Sequence, residues 1–193
     1  MRNHLVAAVA IAVASPVAAI AADETYNIDP VHSQPGFEVT HMGGFSFQRG
    51  VFSKGASGKI VLDRAAHKGM IDVSIDTTSV RSLNERLDTN LKGEDYFNVA
   101  KYPTMSFKSS NLAFDGDKLV GAQGELTMLG VTKPVTLKVS NFTCGEQPFN
   151  KKPLCGAEVT TTIKRSEWGM NAGIPKAVSD EVRISIPVEA YRE

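Results

Sequence analysis

The sequence predicts an all-β protein built on an antiparallel sheet, and three observations carry that expectation. From Thr25 onward, short stretches alternate apolar and polar residues, each bounded by Gly, Pro, Asn or Asp, which is the period of a half-buried strand. Continuous apolar runs, which buried parallel strands need, are absent from the body of the chain, and most links are too short for crossover helices. The length of 193 residues fits one medium domain of the barrel or sandwich kind, with no internal repeat or linker-like stretch to divide it.

Thr25–Ile28 reads as an extra edge strand. The next stretch puts Phe37 and Val39 on one face, with His41 in the same phase. Ile60 and Leu62 mark another, and Ile71, Val73 and Ile75 then oppose Asp72, Ser74 and Asp76. Ser82 to Gly93 breaks the alternation. Ser82 and Glu85 stand at capping-box spacing, Gly93 is placed as a C-terminal stop, and Leu83, Leu87 and Leu91 recur every four residues. A short helix with a narrow apolar stripe follows from that spacing, lying on the end or side of the β structure, with a further turn through Glu94 to Phe97. Strand alternation resumes at Met105/Phe107, at Leu126/Met128, at Val135, Leu137 and Val139, and at Val159/Ile163. It is clearest at the end, where Val182, Ile184, Ile186 and Val188 oppose Glu181, Arg183, Ser185 and Glu189. These stretches make about eight strands with one apolar face, which either packs on a second sheet or closes into a barrel holding side chains or one small ligand. Periodicity alone leaves both open.

Arg2, the apolar run from Leu5 to Ile20 and the small residues Ala19-Ile20-Ala21 read as a secretory signal peptide over residues 1–21, leaving a domain at 22–193. A transmembrane anchor is the rival, but the run is short, contains Pro16 and ends in a cleavage pattern. The body carries nothing that could span a bilayer, so no stable membrane insertion is expected. With 21 basic against 21 acidic residues and no basic block, nucleic acid is an unsuitable partner. Cys144 and Cys155 lie in the exported part around a turn-rich spacer, which favours a disulfide over metal ligation, since neither has a CxxC partner or a nearby histidine.

Catalytic signatures such as G-x-S-x-G, H-E-x-x-H and the P-loop are missing. Among the histidines, His41 falls on the apolar face, where it is either satisfied by a neighbouring carboxylate or backbone group or contacts a ligand head group. Its spacing from His32 matches no metal motif, and no metal is expected. Trp168 reads equally as core or as a ligand platform.

Several motifs occur together in order. Tyr26-x-Ile28-Asp29 precedes His32-Ser33, Phe37, His41 and Gly50-x-Phe52; Ser79-Val80 and Leu91-Lys92-Gly93-Glu94-Asp95-Tyr96-Phe97 follow. Tyr102-Pro103, Phe107-x-Ser109, Gly124-x-Leu126-Thr127, Gly130-Val131-Thr132-Lys133-Pro134-Val135 and Arg165-Ser166-x-Trp168-Gly169-Met170 complete the series. The combination resembles the YceI-like family of exported bacterial lipid-binding proteins. Asn90 and Leu87 stand where that family often carries a histidine and a basic residue, and the cysteine loop is not one of its general features.

The resemblance implies a lipocalin-like barrel with a helical segment near the opening and an apolar interior for a polyisoprenoid or another long-chain lipid. Phe37, Val39, Ile71, Val73, Met105, Phe107, Leu126, Leu137, Ile163 and Ile184 would then line the tail cavity, with Val135, Val159, Val182 and Ile186 on the same inner face. A buried tail leaves its polar end at the mouth, where Arg81 and Arg86 offer donor forks and His32, His41, Asn90 and Asp95 complete the head-group candidates. The expected function is a non-catalytic periplasmic carrier that requires no cofactor, with a polyprenyl or quinone lipid as its hydrophobic small-molecule ligand; a homodimer is left open. The alternative is a periplasmic enzyme acting on such a lipid or its pyrophosphate through His32, His41 and a helix acid.

Overall fold

The computed structural model describes residues 23–193, and the expected signal segment at 1–21 lies outside the described residues. The strands are β1 (Glu24–Ile28), β2 (Gly36–His41), β3 (Ser46–Phe52), β4 (Ala56–Asp63), β5 (Lys68–Asp76), β6 (Val80–Arg81), β7 (Thr104–Asp115), β8 (Lys118–Met128), β9 (Val131–Glu146), β10 (Pro153–Lys164) and β11 (Val178–Arg192), with one α-helix, α1 (Glu85–Lys92). Neighbours run β1-β4-β5-β7-β8-β9-β10-β11, and β1 pairs again with β11, so eight strands close an antiparallel barrel. Thr25–Ile28 is therefore no spare edge. It is the stave that shuts the ring, because β11 still has an unpaired edge once β10 has taken the other.

β11 uses that second edge twice. Its C-terminal half pairs with β1, Ala190 opposite Ile28, and its N-terminal half pairs with β2, Ser185 opposite Gly36 and Val182 opposite Val39. β3 and the short β6 extend the sheet beyond β2; β3 carries no alternation strong enough to be read from sequence. The connector between β1 and β2 hooks onto β11 where the partner changes. Asp29 N–H donates to the Glu189 carbonyl at 2.8 Å. Ser33, fully buried, accepts from Glu189 N–H at 3.0 Å and donates back to its carbonyl at 3.2 Å. Asp29 Oδ2 lies 2.7 Å from His32 Nδ1, and Glu189 Oε2 is 3.8 Å from the same nitrogen.

The helix begins later than its sequence suggests. Asn84 is the N-cap, accepting from Leu87 N–H at 3.1 Å, whereas the Ser82 hydroxyl donates to Asp88 Oδ1 at 2.7 Å. Leu83 thus precedes the helix and is fully exposed instead of joining its stripe. Leu91 and, beyond the helix, Phe97 are buried. Phe97 meets Phe52 and Phe37 at centroid separations of 5.3 and 6.1 Å, which ties the helical segment to the β2–β3 side. Gly93 does close the helix, with φ −72°, so its conformational freedom is not used.

Cys144 and Cys155 sit directly opposite each other on β9 and β10 and form a disulfide. Replacing both by Ala opens an 11-residue separation and should lower unfolding free energy by about 3 kcal/mol, read by denaturant titration. Thiol labelling of unreduced, denatured protein should find none free.

The hook makes a second prediction. The hydrogen bond from His32 holds the Asp29 carboxyl below its usual range, while Asp29, then the Glu189 charge, raise the His32 imidazole. A lowered acid stabilises above its unfolded value and loses that contribution as pH falls through its folded value; a raised histidine stabilises below its unfolded value and loses it as pH rises through its folded value. Both act together from roughly pH 4 to 6.5. The melting-temperature deficit of His32→Gln should be greatest in that window and shrink at alkaline pH; a deficit that grows with pH would contradict the pairing.

Candidate lipid cavity

Antiparallel strands with one apolar face, rolled into a ring, turn that face inward. The result is a cavity of about 500 Å³ running through the barrel. Every residue expected to face inward, from Phe37 and Val39 to Ile184 and Ile186, lines it. The walls are built from directly opposed residues: Val139, Val159 and Ile186 across β9, β10 and β11, and Val73, Phe107 and Leu126 across β5, β7 and β8. No Asp or Glu among the described residues lines the space.

Side chains that both line the cavity and reach solvent mark its mouth. These are Arg49 on β3, its side chain 69% exposed, and Asn84 at the start of α1, with His41 and Gln48 beside them. Arg49 forms an ion pair with Glu38 and lies over the Phe47 ring at 5.6 Å. His41 Nδ1 is 3.3 Å from Ser46 Oγ.

Arg165 also lines the cavity, yet is only 3% exposed. Its guanidinium donates to the carbonyls of Ser179, Met170 and Ala172 at 2.9, 3.1 and 2.7 Å and lies 5.9 Å from the Tyr96 ring centroid. Burial pushes its pKa down, but a guanidinium remains charged. Arg165 pins the segment that carries the lining residues Ala177 and Val178 to the end of β10.

Of the head-group candidates, His41 alone lines the cavity. His32 belongs to the outer hook, its Nδ1 engaged by Asp29. Arg81, 3.6 Å from Asp88, and Arg86, Asn90 and Asp95 are exposed and outside the lining. Helical geometry explains Arg86 and Asn90: α1 turns Leu87 and Leu91 to the cavity, and the preceding positions fall on the wet side. Gln48, Arg49, Asn84 and Arg165 were not anticipated; an Asn three residues before an apolar helical position was the readable cap signal for Asn84. Trp168 is buried core, its Nε1–H donating to the Leu126 carbonyl at 3.2 Å.

His32, His41 and a helix acid are not brought together: Asp88 is clasped by Ser82, and Asp95 faces water. Asp29, His32 and Glu189 do place one donor atom each within 4.8 Å of one another, on the outer seam. No helix among the described residues is long and apolar enough to cross a membrane.

A closed antiparallel barrel around an apolar chamber, open beside a short helix, defines a lipocalin-like class of barrel. The YceI-like domain profile matches residues 26–190, and the chain belongs to that family. It is 35% identical to Protein YceI of Escherichia coli O157:H7 over 178 residues, covering 91% of this chain and 90% of that one. A UPF0312 protein of Shewanella denitrificans is 31% identical over the full length of both chains. The crystal structure of Burkholderia cenocepacia BcnA superimposes with TM-score 0.71 at 24% identity, covering 84% of this chain and 98% of that one. A polyisoprenoid binding domain from Saccharophagus degradans gives TM-score 0.61 at 17% identity, covering 87% and 98%.

Arg165→Met removes the donors of three carbonyls. It should cost about 3 kcal/mol or more of stability, whereas Arg165→Lys, which keeps the charge but not the fork, should recover only part. Chemical denaturation of both variants checks this.

Proposed function

We propose that the protein is a non-catalytic carrier that holds the tail of a polyisoprenoid or similar long-chain lipid, with the periplasm as its place of action. The observation that carries this reading is the cavity itself: walls predominantly of aliphatic and aromatic side chains and no carboxylate, with Arg165 bound to carbonyls and the hydroxyls of Tyr26 and Thr161 already donating to Glu24 and to the Thr136 carbonyl. Such a lining replaces water around hydrocarbon at about 25 cal/mol per Å² of apolar surface and offers no general acid–base pair for turnover. The polyisoprenoid-binding barrel of Saccharophagus shares the fold and supports the choice of lipid class. His41, Gln48, Arg49 and Asn84 are the groups placed to meet a head group. Their mixture of neutral donors and one cation, itself held by Glu38, favours a quinone or alcohol end over a pyrophosphate.

Mass spectrometry of lipids extracted from the exported, purified protein tests the reading, and a co-purifying isoprenoid is the expected result. Val159→Phe adds a ring at mid-height of the wall, beside Val139 and Ile186. It should lower isoprenoid retention by about tenfold or more, the loss of roughly one buried side chain's worth of contact, with the thermal transition retained. Undiminished retention in a folded variant would move the tail out of the barrel.

A further inference from the structure

The rim of the mouth carries apolar side chains that no packing explains. Phe45, at the β2–β3 turn, is 94% exposed, Met42 is 56% and Phe47 is 44% exposed, all within one hairpin tip. Leu83 joins them. Arg81 opposes Val51, so the chain leaving β6 runs back along β3 towards Arg49, and Leu83 precedes the lining residue Asn84. Isolated exposed hydrophobics are ordinary, but a cluster at the entrance of an apolar cavity is not.

The charges around this cluster are net positive: at the base of the hairpin Arg49 and Arg183 share the one carboxylate of Glu38, and the tip beyond it carries no acid. From Val39 to Gly50 there is no acidic residue, and Arg49 is the only fixed charge. The neighbouring segment, tied to the tip by Met42 N–H donating to the Ala177 carbonyl at 2.8 Å, carries Lys176 and no acid from Asn171 to Val178. Aromatic and aliphatic side chains on an acid-free tip, with Lys176 beside it and a net-positive Arg49–Glu38–Arg183 cluster at its base, match the head-group region of an anionic bilayer. Arg49 over the Phe47 ring places a cation at the level where a ring would enter it.

We infer that the β2–β3 tip, with Met42, Phe45 and Phe47 at its apex and Arg49 and Lys176 at its shoulders, is a docking surface for an anionic phospholipid bilayer. There the cavity mouth meets the membrane, and a lipid tail passes between the two without crossing water. The loading role rests on the carrier reading; the docking does not. Contact is peripheral, since only the tip enters.

Flotation with phosphatidylethanolamine–phosphatidylglycerol vesicles tests the docking. The exported protein should co-float, and Phe45→Ser with Phe47→Ser should weaken that binding by about tenfold or more. Neither ring lines the cavity, so uptake of geranylgeraniol from solution, read by native mass spectrometry, should be unchanged in the double variant. Lys176→Glu should weaken binding to these vesicles but not to phosphatidylcholine vesicles. Wild-type protein that stays unbound, or a double variant that floats equally well, overturns the inference. So does a wild-type dimer that the double variant dissolves, because a second copy would then cover the tip. Failure of the wild type to take up geranylgeraniol would refute the carrier reading while flotation still decides the docking.

Discussion

β11 carries two partners along a single edge, and the whole interior depends on that arrangement. If β1 did not pair with its C-terminal half, the sheet would stay open and its apolar face would need another layer. Among the described residues no such layer exists, since their one α-helix is short and sits at the mouth. The hook of Asp29, His32 and Ser33 onto Glu189 holds the chain where β11 passes from β1 to β2, with Ser33 buried and both of its hydroxyl roles satisfied. A buried polar group that exchanges two bonds with one residue fixes register more sharply than apolar contact does. Closure thus rests on directional bonds, and the apolar wall follows from it.

A ring this size has more apolar wall than its own side chains fill, and a cavity of about 500 Å³ is left. Arg165 is a buried charge in a mostly apolar lining, and its three carbonyl partners make it a structural tie. His41, Gln48, Arg49 and Asn84 make the mouth polar, and the exposed tip beside it gives the barrel an apolar end of a different kind, one turned outwards.

Much of this was legible in the sequence. Val182 to Val188, Val135 to Val139 and Ile71 to Ile75 keep strict alternation, so their inward faces could be read directly, and all of them line the cavity or pack around it. The far halves of β7 and β9 were not legible. A register shift between Lys108 and Asn111 moves the inward phase from Met105 and Phe107 to Leu112 and Phe114. Another, opposite Gly156 and Glu158, moves it from Val139 to Phe142 and Cys144. A bulge inserts one residue and inverts the period, and a single-phase reading stops there.

The sequence by itself determined the class of strand, the sign of each face, the cysteine pair and the presence of one helix, because these depend on neighbours two to four residues apart. Only the tertiary structure decided that β1 closes the ring, that His32 serves the seam while His41 serves the cavity, and that Arg49 and Asn84 stand at the mouth. Those placements join residues as distant as Ser33 and Glu189, 156 positions apart. Local periodicity states which way a side chain points within its own strand, but ring closure sets what it then faces.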